Sequence, residues 1–233
     1  MKGLSRVLSN DSTFGRICTL LGTIIVTNLL FVVSLLPVIT AGAGLCGLYY
    51  SMLKLVRYKE INPFSEFWHG FRDNFKKGTL AELAVVALLA FLLLDVRICS
   101  FMTGAARYCV IVVYGAIIAL AVIAMYLFPV IATFNGRLRE LVKYSLYFAV
   151  NNLPGTLIIA FLNVVPLLLT YVYAAWLPLW AFLWCMCGFS VIALCNSRIM
   201  MKRFARHLEP LEEDEQLLAD QKKILEEMRK LEG

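Results

Sequence analysis

Six long apolar stretches constrain this chain more than any other feature of its sequence. A helix needs ~20 residues to cross the ~30 Å hydrocarbon layer of a bilayer, and most of the six stretches are close to that length. The chain is 61% apolar and only 16% charged, whereas a soluble domain has about 25% charged residues. The sequence therefore predicts an all-α fold, an integral membrane helical bundle of about six transmembrane helices. The predicted spans are residues 17–36, 38–56, 79–98, 108–134, 153–173 and 179–196.

The positions of the basic residues predict which end of the bundle faces the cytoplasm. In the six-span arrangement residues 37–44 and 97–107 form outer turns, and of the 18 Lys and Arg in residues 1–206 only Arg97 and Arg107 lie there. Because short loops rich in Lys and Arg stay on the inner side of a membrane, both termini are expected to be cytoplasmic. If residues 38–56 did not cross, two basic segments would lie on opposite sides, which the same rule disfavours.

Three regions of different composition follow from this arrangement. Residues 1–16 form a cytoplasmic N-terminal segment, and residues 17–206 form the transmembrane domain. Residues 207–233 carry nine Asp and Glu against four Lys and Arg, and they are predicted to form a charged cytoplasmic tail that is helical over 211–231. The tail is either a solvated helix or a surface for a partner or a second copy. The basic membrane domain suits an anionic inner leaflet rather than nucleic acid, because no base-reading module accompanies the charge.

A segment at residues 62–80 recurs, in part, 77 positions later. Both copies precede an apolar stretch, and both are predicted to form amphipathic helices on the cytoplasmic surface, over 62–77 and 138–152. The match predicts an internal repeat of residues 38–98 and 108–174, although membrane sequences of low complexity also produce chance matches. The identical pairs are Phe71 and Phe148, Asn74 and Asn151, Gly78 and Gly155, Thr79 and Thr156, and Leu80 and Leu157.

The first of these segments is the predicted docking helix. Five aromatic residues fall on one helical face, and basic residues occupy much of the remainder. Such a helix either lies in the membrane interface with its rings among the headgroups, or presents its polar face to a cytoplasmic partner such as the ATPase of a transporter. The candidate docking residues are Phe64, Phe67, Trp68, Phe71, Arg72, Phe75, Lys76 and Lys77.

Three polar residues inside the spans are the candidate intramembrane sites, because a polar group in hydrocarbon is costly unless it is satisfied. Asn28 and Asn163 lie near the middle of their spans. Either one forms a hydrogen bond between helices, contributing about 0.6 to 2 kcal/mol, or lines a polar path. Glu82 lies one turn into its span and is placed near the inner interface, where a proton-relay role is the alternative to simple solvation.

The sequence offers little material for catalysis. His69 and His207 are its only histidines, both in charged surface segments, and no phosphate-binding or dinucleotide-binding glycine pattern occurs. We therefore predict no catalytic, cofactor-binding or metal-binding residues, and no enzyme activity. The seven cysteines are predicted to be packing residues, with a disulfide between Cys99 and Cys109 as a minor alternative.

Several runs of residues resemble a known family. The run over residues 27–57, TNLLFVVSLLPVITAGAGLCGLYYSMLKLVR, and the run NPFSEFWHGFRDNFKKGTL that follows at residue 62 are similar to the YesL-like family of bacterial membrane proteins, a domain of unknown function. The later run NNLPGTL matches a second element of that family. The resemblance implies a multi-pass protein of the bacterial cytoplasmic membrane, associated with carbohydrate uptake, and it supplies no active-site residues.

Together these features predict a non-enzymatic membrane accessory or interaction protein associated with carbohydrate uptake, with its two inner helices and its tail as docking surfaces. Components of an ABC transporter are the expected partners. The alternative is a transporter or ABC permease-like subunit that moves a small polar solute such as a sugar between the spans, near Asn28 and Asn163.

Overall fold

A computed structural model describes residues 13–101 and 108–205, with side chains described from residue 15 onward. The first twelve residues, part of the predicted outer loop and the predicted acidic tail lie outside the described residues. Nine α-helices occur in the described ranges. They are α1 (Thr13–Ser34), α2 (Ala41–Tyr58), α3 (Pro63–Asp73), α4 (Phe75–Phe101), α5 (Cys109–Thr133), α6 (Leu138–Asn151), α7 (Leu153–Val172), α8 (Leu177–Leu183) and α9 (Phe189–Phe204).

Three short turns complete the described chain. Val38–Thr40 and Ala174–Trp176 form 3₁₀ turns before α2 and α8, and Trp184–Gly188 forms a π-helical turn that joins α8 to α9. No strand occurs within the described residues. The predicted all-α class is therefore confirmed.

Six helical stretches in the described ranges are long and apolar enough to cross a membrane. The sixth comprises the Ala174–Trp176 turn, α8, the π-helical turn and α9, so it is longer than the predicted 179–196. These findings confirm the prediction of an integral membrane bundle of about six helices. The stretches are Gly15–Ser34, Val38–Tyr58, Phe75–Phe101, Cys109–Thr133, Leu153–Val172 and Ala174–Phe204.

Helix α2 lies at the centre of the bundle, where it contacts α1, α3, α4, α5 and α9. In its most apolar part 61% of the residues are buried, against at most 28% in the other five stretches. Its N-terminal half is rich in glycine and alanine, which allow neighbouring backbones to approach closely. Its mean hydropathy of 1.3 is the lowest of the six, because a helix surrounded by protein needs no apolar surface against lipid.

Helix α3 and the first two turns of α4 run back along α2. The connection between α2 and α3 is only four residues long, so the chain reverses at once instead of extending from the end of α2. Successive residues of the returning chain then contact residues progressively nearer the start of α2. The contacts that trace this antiparallel path are Lys54 with Glu66, Tyr50 with Gly70, and Gly42 with Gly78.

This path corrects one part of the predicted layout. The sequence pattern places residues 37–44 at an outer turn and Glu82 near the inner interface, which predicts a full bilayer thickness between them. In the structure the backbone N–H of Gly42 donates to Glu82 Oε2 at 2.6 Å. The predicted separation is therefore wrong, because the glycines of α2 and α4 let the two helix starts pack directly against each other.

Helices α5, α6 and α9 meet in an aromatic cluster near the C-terminal ends of α5 and α9. Phe134 stacks on Phe148 with ring centroids 5.8 Å apart, and Phe204 lies 4.8 Å from Phe148. Helix α6 therefore packs against the end of α5, in the same chain order as α3 against α2. The order span, short helix, span thus occurs twice, while the internal duplication itself stays a prediction.

Helices α4 and α5 pack against each other as an antiparallel hairpin. From residue 83 onward almost every residue of α4 is exposed or half-buried, and so is every described residue of α5 before Leu120. Such apolar exposure suits contact with lipid chains. Cys99 and Cys109 are free thiols in this structure, so the alternative of a disulfide between them is not supported.

Candidate functional site

The candidate site is the outward surface of α3 together with the start of α4, which we call the α3 flank. Two close backbone contacts hold it in place. A Cβ added at Gly47 would lie 2.8 Å from the carbonyl oxygen of Phe67, and one added at Gly70 would lie 2.5 Å from Tyr50 Cβ. Because any larger residue would force the helices apart, α3 packs closely on α2.

Polar contacts add to this attachment. The side chain of Asn62 accepts a hydrogen bond from the backbone N–H of Ser65 at 3.3 Å, so it caps the start of α3. Lys54 Nζ lies 2.8 Å from Glu66 Oε2 and 4.9 Å from the centre of the Tyr50 ring. Since both charged side chains are partly exposed, the ion pair contributes at most about 1 kcal/mol.

The aromatic residues of α3 divide between two surroundings. Phe67 is 2% exposed and belongs to the core, whereas Phe64 and Trp68 are 62% and 48% exposed. Phe71 is half-buried, and its ring stacks on that of Trp68 with centroids 5.4 Å apart. The predicted single aromatic face is thus one core residue and a row of rings on the outside. Phe75 continues that row on α4.

Charged residues accompany these exposed rings. Arg72, Asp73 and Lys76 are exposed and Lys77 is half-buried. His69 Nε2 lies 3.1 Å from Asp73 Oδ2 on the same surface. Unpaired charges on a surface in contact with hydrocarbon would be costly, so the α3 flank must face water, lipid headgroups or another protein.

The Glu82 side chain, on α4, contacts the start of α2. Its carboxylate accepts the backbone N–H of Gly42, one of the first amides of α2, which have no partner within the helix. A negative charge at a helix N-terminus is also favoured by the helix dipole. This contact assigns Glu82 a structural role, and its predicted proton-relay role stays untested.

Asn28 is fully buried and makes three hydrogen bonds to the sixth apolar stretch. Its Nδ2 donates to the carbonyl oxygens of Trp184 at 2.9 Å and Cys185 at 2.7 Å, and its Oδ1 accepts the N–H of Ser190 at 2.9 Å. A π-helical turn interrupts the regular hydrogen bonding of the backbone. The Asn28 side chain makes hydrogen bonds to backbone groups in and next to the π-helical turn at Trp184–Gly188. The geometry agrees with the predicted packing role between helices.

Asn163 has a different environment. Its Nδ2 donates to the carbonyl oxygen of Ile159 in its own helix at 2.7 Å. The residue also lines a cavity of about 130 Å³ between α2, α7 and α9, together with Tyr49 and Trp184. Asn28 therefore bonds to another helical stretch, whereas Asn163 bonds within its own helix, although both occupy the middle of a span.

A buried polar pair lies beside that cavity. Asn196 Nδ2 donates to the hydroxyl of Tyr49 at 3.1 Å, while Asn196 Oδ1 has no hydrogen-bond partner among the described residues. The Tyr49 side chain comes from α2 and the Asn196 side chain from α9. An unpaired buried oxygen is costly unless a water or ligand reaches it.

Several of these features escape a sequence reading. The glycine contacts have a partial signal, because small residues at short spacing in apolar helices mark close packing. The hydrogen bonds of Asn28 and Asn196 have none, since their partners lie more than 140 positions away. The sequence also gives no signal that Lys59, just after α2, adopts a φ of 65°.

Comparison with known proteins shows that this region is similar to a known family. Residues 24–96, from within α1 through most of α4, match the profile of a family described as "Protein of unknown function, DUF624". The uncharacterized protein YesL of Bacillus subtilis (strain 168) is 31% identical over 97 residues, covering 42% of this chain and 46% of that protein. No solved structure matches significantly. The resemblance to the YesL-like family is confirmed over this part of the chain, and the match spans less than half of the curated relative.

Proposed function

We propose that this YesL-like chain is a non-enzymatic accessory protein of the bacterial cytoplasmic membrane that docks a protein partner on its α3 flank. The observation that carries the proposal is a row of exposed aromatic and basic side chains on a helix packed closely against the bundle. Aromatic residues and arginine are enriched where proteins bind one another, and a rigid surface loses little conformational entropy on binding.

The expected partner is a component of an ABC transporter for carbohydrate uptake. This part of the proposal rests on the resemblance to the YesL-like family rather than on the site's geometry. The mixed charge of the flank, with Arg72 and Lys76 beside Asp73, suits a partner surface that also carries both signs. A membrane surface alone would favour a uniformly basic flank.

Copurification tests this docking role. The full-length chain is expressed with a tag in a bacterium that encodes the family, extracted with a mild detergent, and the enriched proteins are identified by mass spectrometry. We expect a permease or ATPase subunit to be enriched with the wild type and reduced at least tenfold with a Phe64→Ala/Trp68→Ala variant. Phe91→Ala/Phe161→Ala is the matched control, because those rings are 59% and 63% exposed on other helices.

Two results would reject the docking role. One is the absence of any transporter component from the wild-type sample. The other is equal enrichment with the α3-flank variant and the wild type, since the rings would then contribute nothing to binding. Loss of the partner with the control variant as well would point to general disruption of the bundle and would also count against the flank.

A second candidate function is a transporter or permease-like subunit for a small polar solute. The observation in its favour is the cavity of about 130 Å³ that Asn163 and Tyr49 line between α2, α7 and α9. Flux of radiolabelled sugars into proteoliposomes is the measurement. A flux unaffected by Asn163→Leu, or no flux above protein-free vesicles, would reject this role.

A further inference from the structure

A separate groove opens between the start of α1 and the end of α2. Its volume is about 530 Å³, larger than the cavity beside Asn163. It lies at the end of the bundle where α1 begins and α2 ends. The lining residues are Arg16, Ile17, Thr19, Leu20, Thr23, Leu55, Tyr58, Lys59 and Glu60.

Two basic side chains border this groove from different helices. Arg16 comes from α1 and Lys59 from the residue after α2, and both are exposed. Neither makes an ion pair within the part of the chain that the structure describes. Glu60 is the one carboxylate among the lining residues, so the groove has a net positive charge.

The backbone presents Lys59 in an uncommon way. Its φ of 65° is positive, and its ψ of −32° lies outside the αL conformation that glycine or asparagine usually adopts at the end of a helix. Lysine is not favoured there by its own conformational preference. Residues held in such conformations concentrate at sites that bind ligands, which is consistent with a role for this side chain at the groove.

The floor of the groove is apolar. Leu55 is 5% exposed, while Ile17 is 51% exposed on the outward side of α1. Tyr58 and the hydroxyl-bearing Thr19 also line the groove. A ligand that fits must therefore have an anionic group next to a hydrocarbon portion.

We propose that this groove binds an anionic phospholipid, with the headgroup phosphate between Arg16 and Lys59 and an acyl chain along Ile17 and Leu20. Basic pockets between transmembrane helices are known to bind anionic headgroups. Each basic residue near the membrane surface contributes a factor of about five to six to such an affinity, so both together contribute about thirtyfold.

Binding is measured with the purified full chain in a neutral detergent, by native mass spectrometry and by thermal unfolding. The probes are phosphatidylglycerol, phosphatidylcholine, glycerol 1-phosphate and inorganic phosphate. We expect phosphatidylglycerol to bind tightest and to raise the Tm. In an Arg16→Gln/Lys59→Asn variant its affinity should fall about thirtyfold. Asparagine is enriched among non-glycine residues at positive φ, so the variant is expected to fold, which its Tm without lipid checks.

An Arg72→Gln/Lys76→Gln variant removes the same charge from the α3 flank and serves as the matched control. The proposal is overturned if phosphatidylcholine binds as well as phosphatidylglycerol, if the groove variant keeps wild-type affinity, or if the control loses as much affinity as the groove variant. Equal binding of glycerol 1-phosphate or inorganic phosphate would assign the groove to a soluble phosphate compound and would overturn the lipid assignment.

Discussion

Replacing Asn28 by leucine tests whether this residue holds the sixth apolar stretch in place. The change removes two donors, to the carbonyl oxygens of Trp184 and Cys185, and one acceptor for the N–H of Ser190. All three partners are backbone groups, and the Asn28 side chain is completely buried. Leucine offers no polar atom to any of them.

The expected cost follows from these three bonds. A hydrogen bond between membrane helices is worth ~0.6 kcal/mol on average and up to ~1.7 kcal/mol. Three bonds with unsatisfied backbone groups left behind therefore give about 2–4 kcal/mol. For a chain of this size each kcal/mol lowers the Tm by roughly 2–4 °C, so the Tm of Asn28→Leu should fall by roughly 5–15 °C.

Asn163→Leu is the matched control because it makes the same substitution in the middle of another span. The Asn163 side chain donates to Ile159 in its own helix, and that carbonyl retains its regular backbone partner. The Tm of this variant should fall by less than about 3 °C.

Thermal unfolding of both variants in detergent, followed by circular dichroism, measures the difference. Asn28→Ala is added because leucine at a fully buried site could destabilise by overpacking, and alanine removes the same hydrogen bonds without adding volume. Equal Tm values for the Asn28 and Asn163 variants would refute the reasoning, as would an Asn28→Ala protein as stable as the wild type.

Three further predictions concern the packing of α2, and thermal unfolding measures each of them. Gly78→Ala should lower the free energy of unfolding by about 1–3 kcal/mol, because the added Cβ would lie 2.9 Å from the carbonyl oxygen of Gly42. Gly115→Ala is the control and should not destabilise, since nothing lies within 4 Å of its added Cβ. Equal losses of stability in the two variants would contradict the close contact. Glu82→Gln should lower the Tm by at most about 2 °C, because an amide oxygen still accepts the Gly42 N–H and only the charge near the helix start is lost. Glu82→Ala should lower the Tm by roughly 2–4 °C, and a Gln variant as unstable as the Ala variant would show that the charge matters more than the hydrogen bond. Lys59→Gly should raise the Tm by roughly 2–4 °C by relieving about 1 kcal/mol of left-handed strain, and a lower Tm would reject that strain.

Sequence and structure agree where a property depends on the chain locally. The boundaries of the apolar stretches follow from runs of residues, and five of the six predicted spans lie within a few residues of the observed ones. The two short helices α3 and α6 are also local, since a capping residue, Asn62, and the polar pattern of residues 138–151 specify where they form. The hydropathy of a stretch does not depend on which residues lie near it in the folded protein.

The α3 flank shows where a local reading fails. The spacing of its aromatic residues predicts one face, but only the approach of Gly47 to Phe67 decides that this ring faces the core while Trp68 faces outward. Likewise, the positions of Gly42 and Glu82 in separate apolar stretches suggest opposite membrane sides, and their hydrogen bond places them together.

By itself the sequence determined that this chain is a helical membrane protein with two short helices between its apolar stretches, because the length and periodicity of apolar residues set those properties residue by residue. Only the tertiary structure decided that α3 folds back along α2 and that Asn28 joins α1 to a distant π-helical turn. Such contacts depend on which backbones can approach closely in three dimensions, and a linear pattern of residues does not contain that information.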